Sequence, residues 1–473
     1  MNQGAKQNAD RRQAHHRASR VAALICTVFL VTAQLNSFCQ SSSSSGSIPS
    51  GPATPEVLHL SLRDAIQRGL QYNLAEIQSG QDKRIARGER LIALSKLLPQ
   101  VNAGASEEIQ QLDLSSLGLK IPGVPHVIGP FGVSAVEGTI NQTIGTELMR
   151  RFIAARSAEQ AAQLNYQDTL DLVTLSVGNA YLLVIEAHSR IEAQEAQVRN
   201  ARVLFDQARD EVEAGTSPRI DQTQTEVQLH SEEYTLSVTR NNFAVAKLNL
   251  ARAIGLPLGQ EFDLIDQLPY AEVTSLNLDE ALSLANRSRS DLKAAMASQH
   301  SAAENLSAAR MERLPVITAA GHYGDQGTTF GQSHGEFTFQ GEVSVPLFTG
   351  GRIKGDIAEA EATLQQKVAD TENLRGQIDY DVRTAFLNLN AAREQVTVAR
   401  QNVDLANDNL TRSKDRFASG VTNSVEVVQA EQSLANADDQ IITSLYSYNY
   451  AKLSLARALG VARTNFEQYL GGK

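Results

Sequence analysis

The chain has 473 residues and a formal net charge of −10, with 20% charged and 42% hydrophobic residues. That balance excludes a disordered chain, and the acidic excess argues against nucleic acid as a partner. Trp is absent and aromatic residues make up 5%, few rings for one compact core but enough for Ala-rich contacts between helices.

Residues 1–39 read as an export signal. Arg11, Arg12, Arg17 and Arg20 precede the apolar run 21–33, which is too short to span a bilayer comfortably. Val31-Thr32-Ala33 offers a cleavage site, and Ser37-Phe38-Cys39 a second one. Bulky Phe38 argues against lipidation at Cys39. The segment holds five Lys or Arg and one Asp, so its loss takes the net charge from −10 to −14. Cys26 and Cys39 fall within it, leaving no disulfide in the mature chain. Residues 40–55, a serine run with Pro49, Pro52 and Pro55, read as a flexible linker. No later stretch reaches the roughly 18 apolar residues of a membrane helix, so any crossing falls to strands.

The rest of the chain is a duplication. Leu60-Ser-Leu-Arg-Asp-Ala65 returns as Leu276-Asn-Leu-Asp-Glu-Ala281, and Leu98-Pro99 as Leu314-Pro315. Leu248-Asn-Leu-Ala-Arg-Ala-Ile-Gly255 returns as Leu453-Ser-Leu-Ala-Arg-Ala-Leu-Gly460. The first copy spans 56–262, the second 263–462, and 463–473 is a tail. A unit of about 200 residues is too long for a solenoid repeat and favours one pseudo-symmetric body.

Each copy opens with a short helix started by Ser61 or Asn277, then a second helix that stops at the Leu-Pro pair. Two strands follow. They are expected at 101–111 and 136–144 in the first copy, and at 316–323 and 337–347 in the second. In the last, Phe337, Phe339, Gly341, Val343, Val345 and Leu347 alternate with polar residues. Each run has the length of a tilted transmembrane strand. The same alternation would also serve a ribbon on a soluble body. The proline-bearing stretch 117–131 reads as a loop, a lid or an unordered connection. Residues 324–333 read as a turn.

Long heptad helices come next. Val173, Val177, Ala180, Val184, Ala187, Ile191, Val198, Ala201, Phe205, Ala208 and Val212 form one seam, broken by Gln194. Ile378, Val382, Ala385, Leu389, Ala392, Val396, Ala399, Val403, Ala406, Leu410 and Phe417 form the other, broken by Ser413. A helix over 155–214 would be about 90 Å long, a rod or a tube wall rather than part of a globule. Both end at glycine, Gly215 and Gly420, followed by reversals at 215–220 and 420–425. As equivalent points of the repeat, the two turns belong at one end, opposite the strands.

With Val345-Pro-Leu-Phe-Thr-Gly-Gly-Arg352, Arg416-Phe-Ala-Ser-Gly-Val-Thr-Asn-Ser-Val-Glu-Val-Val-Gln-Ala430 and the terminal Leu-Ala-Arg-Ala-Leu-Gly460, residues 56–462 resemble the TolC-like outer membrane efflux proteins. The resemblance implies a mainly α fold with a β membrane segment: a long coiled-coil helical tube in the periplasm, continued by a trimeric 12-stranded outer membrane β-barrel. It implies a homotrimer in outer membrane lipid, docked to a periplasmic adaptor and an inner membrane pump. The duct would pass small molecules or proteins in a tripartite efflux or type I secretion system. By position in the motif, Asp221 and Glu426, with Gln224 and Gln429 one turn later, correspond to the family's periplasmic gate. Gly215, Thr216, Ser217, Gly420, Val421 and Thr422 correspond to its adaptor-docking turns. Gln429, Phe417 and Thr422 depart from residues common in relatives, so a partner for Asp221 is sought in Arg219 or Arg416. Each acidic residue would equally suit a helix N-terminus, where the macrodipole favours it.

No catalytic constellation or cofactor motif is present, so no enzymatic activity and no cofactor is expected. His322 and His334 flank one strand turn and are candidate metal ligands, although exposed loop histidines explain them as well. Gly350-Gly-Arg-Ile-Lys-Gly355 lacks the Gly-Lys-Ser/Thr ending of a phosphate loop. The competing reading of the whole chain is a periplasmic coiled-coil scaffold without a pore.

Overall fold

The computed structural model describes residues 46–464 apart from 115, 117, 119–121, 267–276, 329 and 423. The signal segment, most of the tail and part of the linker lie outside these residues. The elements are β1 (Leu58–Leu60), α1 (Leu62–Tyr72), α2 (Leu74–Ser95), β2 (Gln100–Asp113), β3 (Val127–Ile144), α3 (Thr146–Glu213) and α4 (Arg219–Ala253). Then follow β4 (Phe262–Leu264), α5 (Leu278–Ser288), α6 (Ser290–Met311), β5 (Val316–Gly327), β6 (His334–Ser344), α7 (Arg352–Ala418) and α8 (Ser424–Ala458).

The duplication reappears in the packing. Val173, Val177, Leu250, Ala253 and Ile254 share one buried cluster with Ala65 and Ile66. Their counterparts Ile378, Val382, Leu455, Ala458 and Leu459 share another with Ala281 and Ala285. Ser61 caps α1 through a capping box with Asp64, and Asn277 is the residue at the start of α5. β1 pairs in parallel with β4. Tyr181, buried beside them, donates to the Leu60 carbonyl (3.1 Å) and to Asp266 (2.8 Å). Residues 46–55 do not hang free. The Ile48 amide donates to Tyr72, the Ser50 amide to Gly255, and the Thr54 amide to Gln260. Backbone pairing to the body overrides a linker-like composition.

The second-copy junction is ionic. Arg289, almost fully buried, contacts Asp291 and Asp381, and Arg457 contacts Asp168 of α3 at 2.7 Å. Burial pushes the Asp168 carboxyl up against the pull of Arg457. Asp291 is also raised by burial, but the Arg289 hydrogen bond and charge outweigh it and hold that carboxyl low.

The four long strands form one antiparallel sheet in the order β2-β3-β5-β6. One register row reads Val101, Ile140, Gly321, Phe339, and the next reads Asn102, Thr139, His322, Thr338. In these two rows one face is apolar and the other polar; toward the loop end the contrast fades, with Glu107 and Asp325 on the first face and Phe131 and Val133 on the second. Gly321 leaves room for its neighbours: a Cβ there would lie 2.7 Å from Ile140 and 3.1 Å from Phe339. β3 starts nine residues before the predicted 136, so 127–131 is strand rather than loop. The Gly129-Pro130 pair sits beside a register shift between Gln110 and Leu112, where a missing amide is tolerated. β5 runs on to Gly327, shortening the predicted turn. β6 ends at Ser344, because Pro346 cannot donate to a ladder.

α3 has 68 residues, about 100 Å of helix. It packs on α1, α2 and α4 of its own copy and on α6 and α8 of the other; α7 packs on α6 and α8. The helical layer thus reads α2 and α4, then α3, then α6 and α8, then α7. α3 also holds an 18-residue window of mean hydropathy 1.4, apolar enough to cross a membrane. This corrects the expectation that no such stretch follows the signal. Of that window, 56% is buried, and Val173, Val177, Tyr181 and Val184 within this helix are core residues of the first copy.

The α7 seam is buried at Ile378, Val382, Ala385, Ala392, Val396, Ala399, Leu410, Ser413 and Phe417. In α3 the lower seam runs through Gln197, Ala201, Leu204 and Ala208 instead of Val198 and Phe205. There Leu204 packs with Leu410, Val427 and Leu434, and Gln197 donates to Asp438, so the stripe turns toward α7 and α8 of the second copy.

Candidate functional site

The two helix reversals are alike atom by atom. Gly215 (φ +75°) and Gly420 (φ +67°) take the left-handed conformation. The Gly215 amide donates to Val212 and the Thr216 amide to Glu211; Gly420 donates to Phe417 and Val421 to Arg416. Both are Schellman turns, which use the last free carbonyls of the helix. Thr216 and Ser217 add hydroxyl bonds to Glu211, its carbonyl and its carboxylate respectively. Val421 stays exposed at the tip. A Cβ added at either glycine would meet no atom within 4 Å, so no neighbouring element packs against the glycines themselves.

Just past the turns, α4 and α8 begin side by side. Asp221 lies in the first turn of α4 and Glu426 in the first turn of α8, where the helix dipole favours a carboxylate. Ser424, fully buried, donates to Asp221 at 3.0 Å across the two copies. Glu426 accepts from Thr422 and pairs with Arg416 at 3.2 Å. Arg416 therefore serves Glu426, not Asp221, correcting one of the two expected pairings. The reason is connectivity: Arg416 and Glu426 flank the same turn. The partner of Asp221 is Ser424, a hydroxyl on the other copy that short-range spacing does not reveal.

Gln224 and Gln429 are exposed and, with Thr223, Val227, Val425 and Val428, line a groove of about 330 Å³ between α4 and α8. All four predicted gate positions are thus brought to one end of the helices. Behind them Leu204, Leu410, Phe417, Val427, Ala430 and Leu434 form a small core that holds the reversals together.

The histidines do not converge. His322 lies inside β5 and contacts Glu137 of β3 at 2.9 Å, while His334 pairs in register with Gln326. Among the described residues no group of three or more His, Cys, Asp or Glu side chains is arranged to hold a metal.

A family model described as outer membrane efflux protein matches residues 71–256 and 281–461. The chain is 25% identical over 382 residues to outer membrane protein TolC of Vibrio cholerae, covering 77% of this chain and 83% of that one. It is 24% identical over 421 residues to the toluene efflux pump outer membrane protein TtgF of Pseudomonas putida, covering 84% and 83%. Among solved structures, the CmeC outer membrane channel of Campylobacter jejuni superposes with a TM-score of 0.75 at 15% identity, over 85% of this chain and 86% of that one. The outer membrane protein VceC of Vibrio cholerae gives 0.72 at 20% identity, over 84% and 96%.

Proposed function

The chain belongs to the outer membrane efflux protein family, and from that premise we propose that three copies close into one duct through the outer membrane and across the periplasm. The chain is an outer membrane efflux channel. The pore-free scaffold reading is left without support.

The trimer rests on one observation: the sheet and the helical layer are open on the same two sides. β2 and β6 are the free sheet edges, with α2 leading into β2 and α7 following β6. A sheet in lipid cannot keep bare edges, and four strands cannot close alone. Three copies supply twelve. Each open side also carries an exposed apolar stripe at heptad spacing: Val227, Tyr234, Val238 and Val245 on α4, and Tyr380, Leu387, Val398 and Leu405 on α7. Detergent-solubilised protein is expected to have the mass of a trimer by light scattering and to raise conductance in a planar bilayer. A monomer, or a silent bilayer, overturns the reading.

The duct takes small molecules or proteins from an inner membrane pump through a periplasmic adaptor. The adaptor docks on the turns at Gly215, Thr216, Ser217, Gly420, Val421 and Thr422, the only reversals at the free ends of the long helices among the described residues. Asp221, Glu426, Gln224 and Gln429 line the constriction behind them. Gly420→Pro cannot keep φ at +67°, so it should reshape the docking turn. Adaptor affinity is expected to fall about tenfold, roughly 1.4 kcal/mol, with the trimer intact. Undiminished adaptor binding in a pull-down places the dock elsewhere.

A further inference from the structure

The trimer proposed above leaves open how one copy finds the register of the next below the barrel, and the two free helix faces supply it. On α2, Lys83 lies over the Tyr166 ring and Arg90 pairs with Glu159, so this face is occupied by α3. Ile85 and Ile92 are on the opposite face, 59% and 61% exposed and seven residues apart. On α7, Ile353, Thr371 and Ile378 are buried, while Gly355, Ala358, Ala362 and Ala369 are exposed on the reverse face. A Cβ at Gly355 would meet nothing within 4 Å.

The spacings agree. Counted from the helix ends nearest the strands, Ser95 and Arg352, Ile92 and Gly355 are both three residues in. Ile85 and Ala362 are both ten residues in. The two helices run in opposite directions, α2 toward the sheet and α7 away from it. If β6 of one copy meets β2 of the next, α7 lands beside the neighbour's α2 with both large residues facing small ones. Charge agrees as well. Arg84, the residue before Ile85, is exposed and, like exposed Glu361, the residue before Ala362, makes no ion pair among the described residues. In this register Glu361, nine residues from its helix end, falls two positions from Arg84 at eleven, on the same flank of the seam.

We propose that α2 of one copy packs on α7 of a second copy with Ile92 over Gly355 and Ile85 over Ala362, and with Glu361 beside Arg84. This knob-into-hole seam sets the rotational register of the tube, because the alternative with one heptad of slip exposes one isoleucine and separates the charges. The inference depends on the trimer reading, and the test keeps the two apart.

Chains carrying both Ile92→Cys and Gly355→Cys, or both Ile85→Cys and Ala362→Cys, are expected to run as covalent trimers on a non-reducing denaturing gel. Ile92→Cys with Ala362→Cys should not link, since seven helical residues are about 10 Å and a disulfide needs Cα atoms within roughly 7 Å. The unsubstituted chain, with no cysteine left after signal removal, gives the background. Glu361→Arg should lower the temperature at which the trimer dissociates, and Arg84→Glu in the same chain should restore it. Light scattering on the same samples reads the trimer independently. A trimer without in-register links overturns the seam and leaves the trimer standing; a monomer overturns both.

Discussion

Gly460→Ala is expected to destabilise the protein by about 3 kcal/mol, and Gly420→Ala by only about 1 kcal/mol. Both glycines end a helix with φ near +70°, where an L side chain costs roughly 1–2 kcal/mol. Their surroundings differ. At Gly420 an added Cβ meets open space, whereas at Gly460 it would lie 2.9 Å from both the Cα and the backbone nitrogen of Arg289. Backbone cannot move aside as a flexible side chain can, and overpacking of this kind adds roughly 1–3 kcal/mol. The displaced Arg289 holds Asp291 and Asp381 in a partly buried network, so the strain reaches α6 and α7 as well. Denaturant titration of the two variants side by side measures the difference. Equal losses would mean that the close approach of the second-copy turn to Arg289 constrains nothing.

The duplication made the fold legible. Repeats shifted by 216 residues before the strands and by 205 after them fixed which elements are equivalent, and the two cores place Val173 and Ile378, and likewise Leu250 and Leu455, at matching positions. Period-two alternation located the strands and glycine located the turns, because both are local constraints. The long-range partners were not legible. Tyr181 and Phe386 occupy equivalent positions, yet only the tyrosine reaches Asp266. Asn73 and Arg289 are equivalent too. The first caps α2 at Ala75, and the second anchors two carboxylates. In both cases the equivalent residues differ in their polar contacts between the two copies, and only the fold shows what stands opposite. The one-residue shift of the α3 seam has another cause: Gln197 and Leu204 turn toward Asp438, Leu410 and Leu434 of the second copy, partners that a heptad pattern does not name.

At the proposed constriction, Asp221→Asn with Glu426→Gln should reduce cation over anion permeability several-fold, because the proposed trimer would lose six carboxylates there. Carboxylate rings select cations by their field rather than by contact, and isosteric amides remove that field while keeping the side-chain volume. The hydroxyl of Ser424 separates selectivity from closure. It ties α8 to α4 through Asp221 at 3.0 Å and is itself fully buried, so Ser424→Ala cuts the tie without changing the charge. Resting conductance is expected to rise in that variant with the permeability ratio unchanged, whereas the double amide variant should change the ratio. Arg416→Ala gives the third arm: it frees Glu426 from its cation and should strengthen cation preference. Single-channel recordings under a salt gradient read all three. If the double amide variant keeps the parental ratio, the carboxylates only stabilise their helix ends through the dipole, and selectivity is decided elsewhere along the duct.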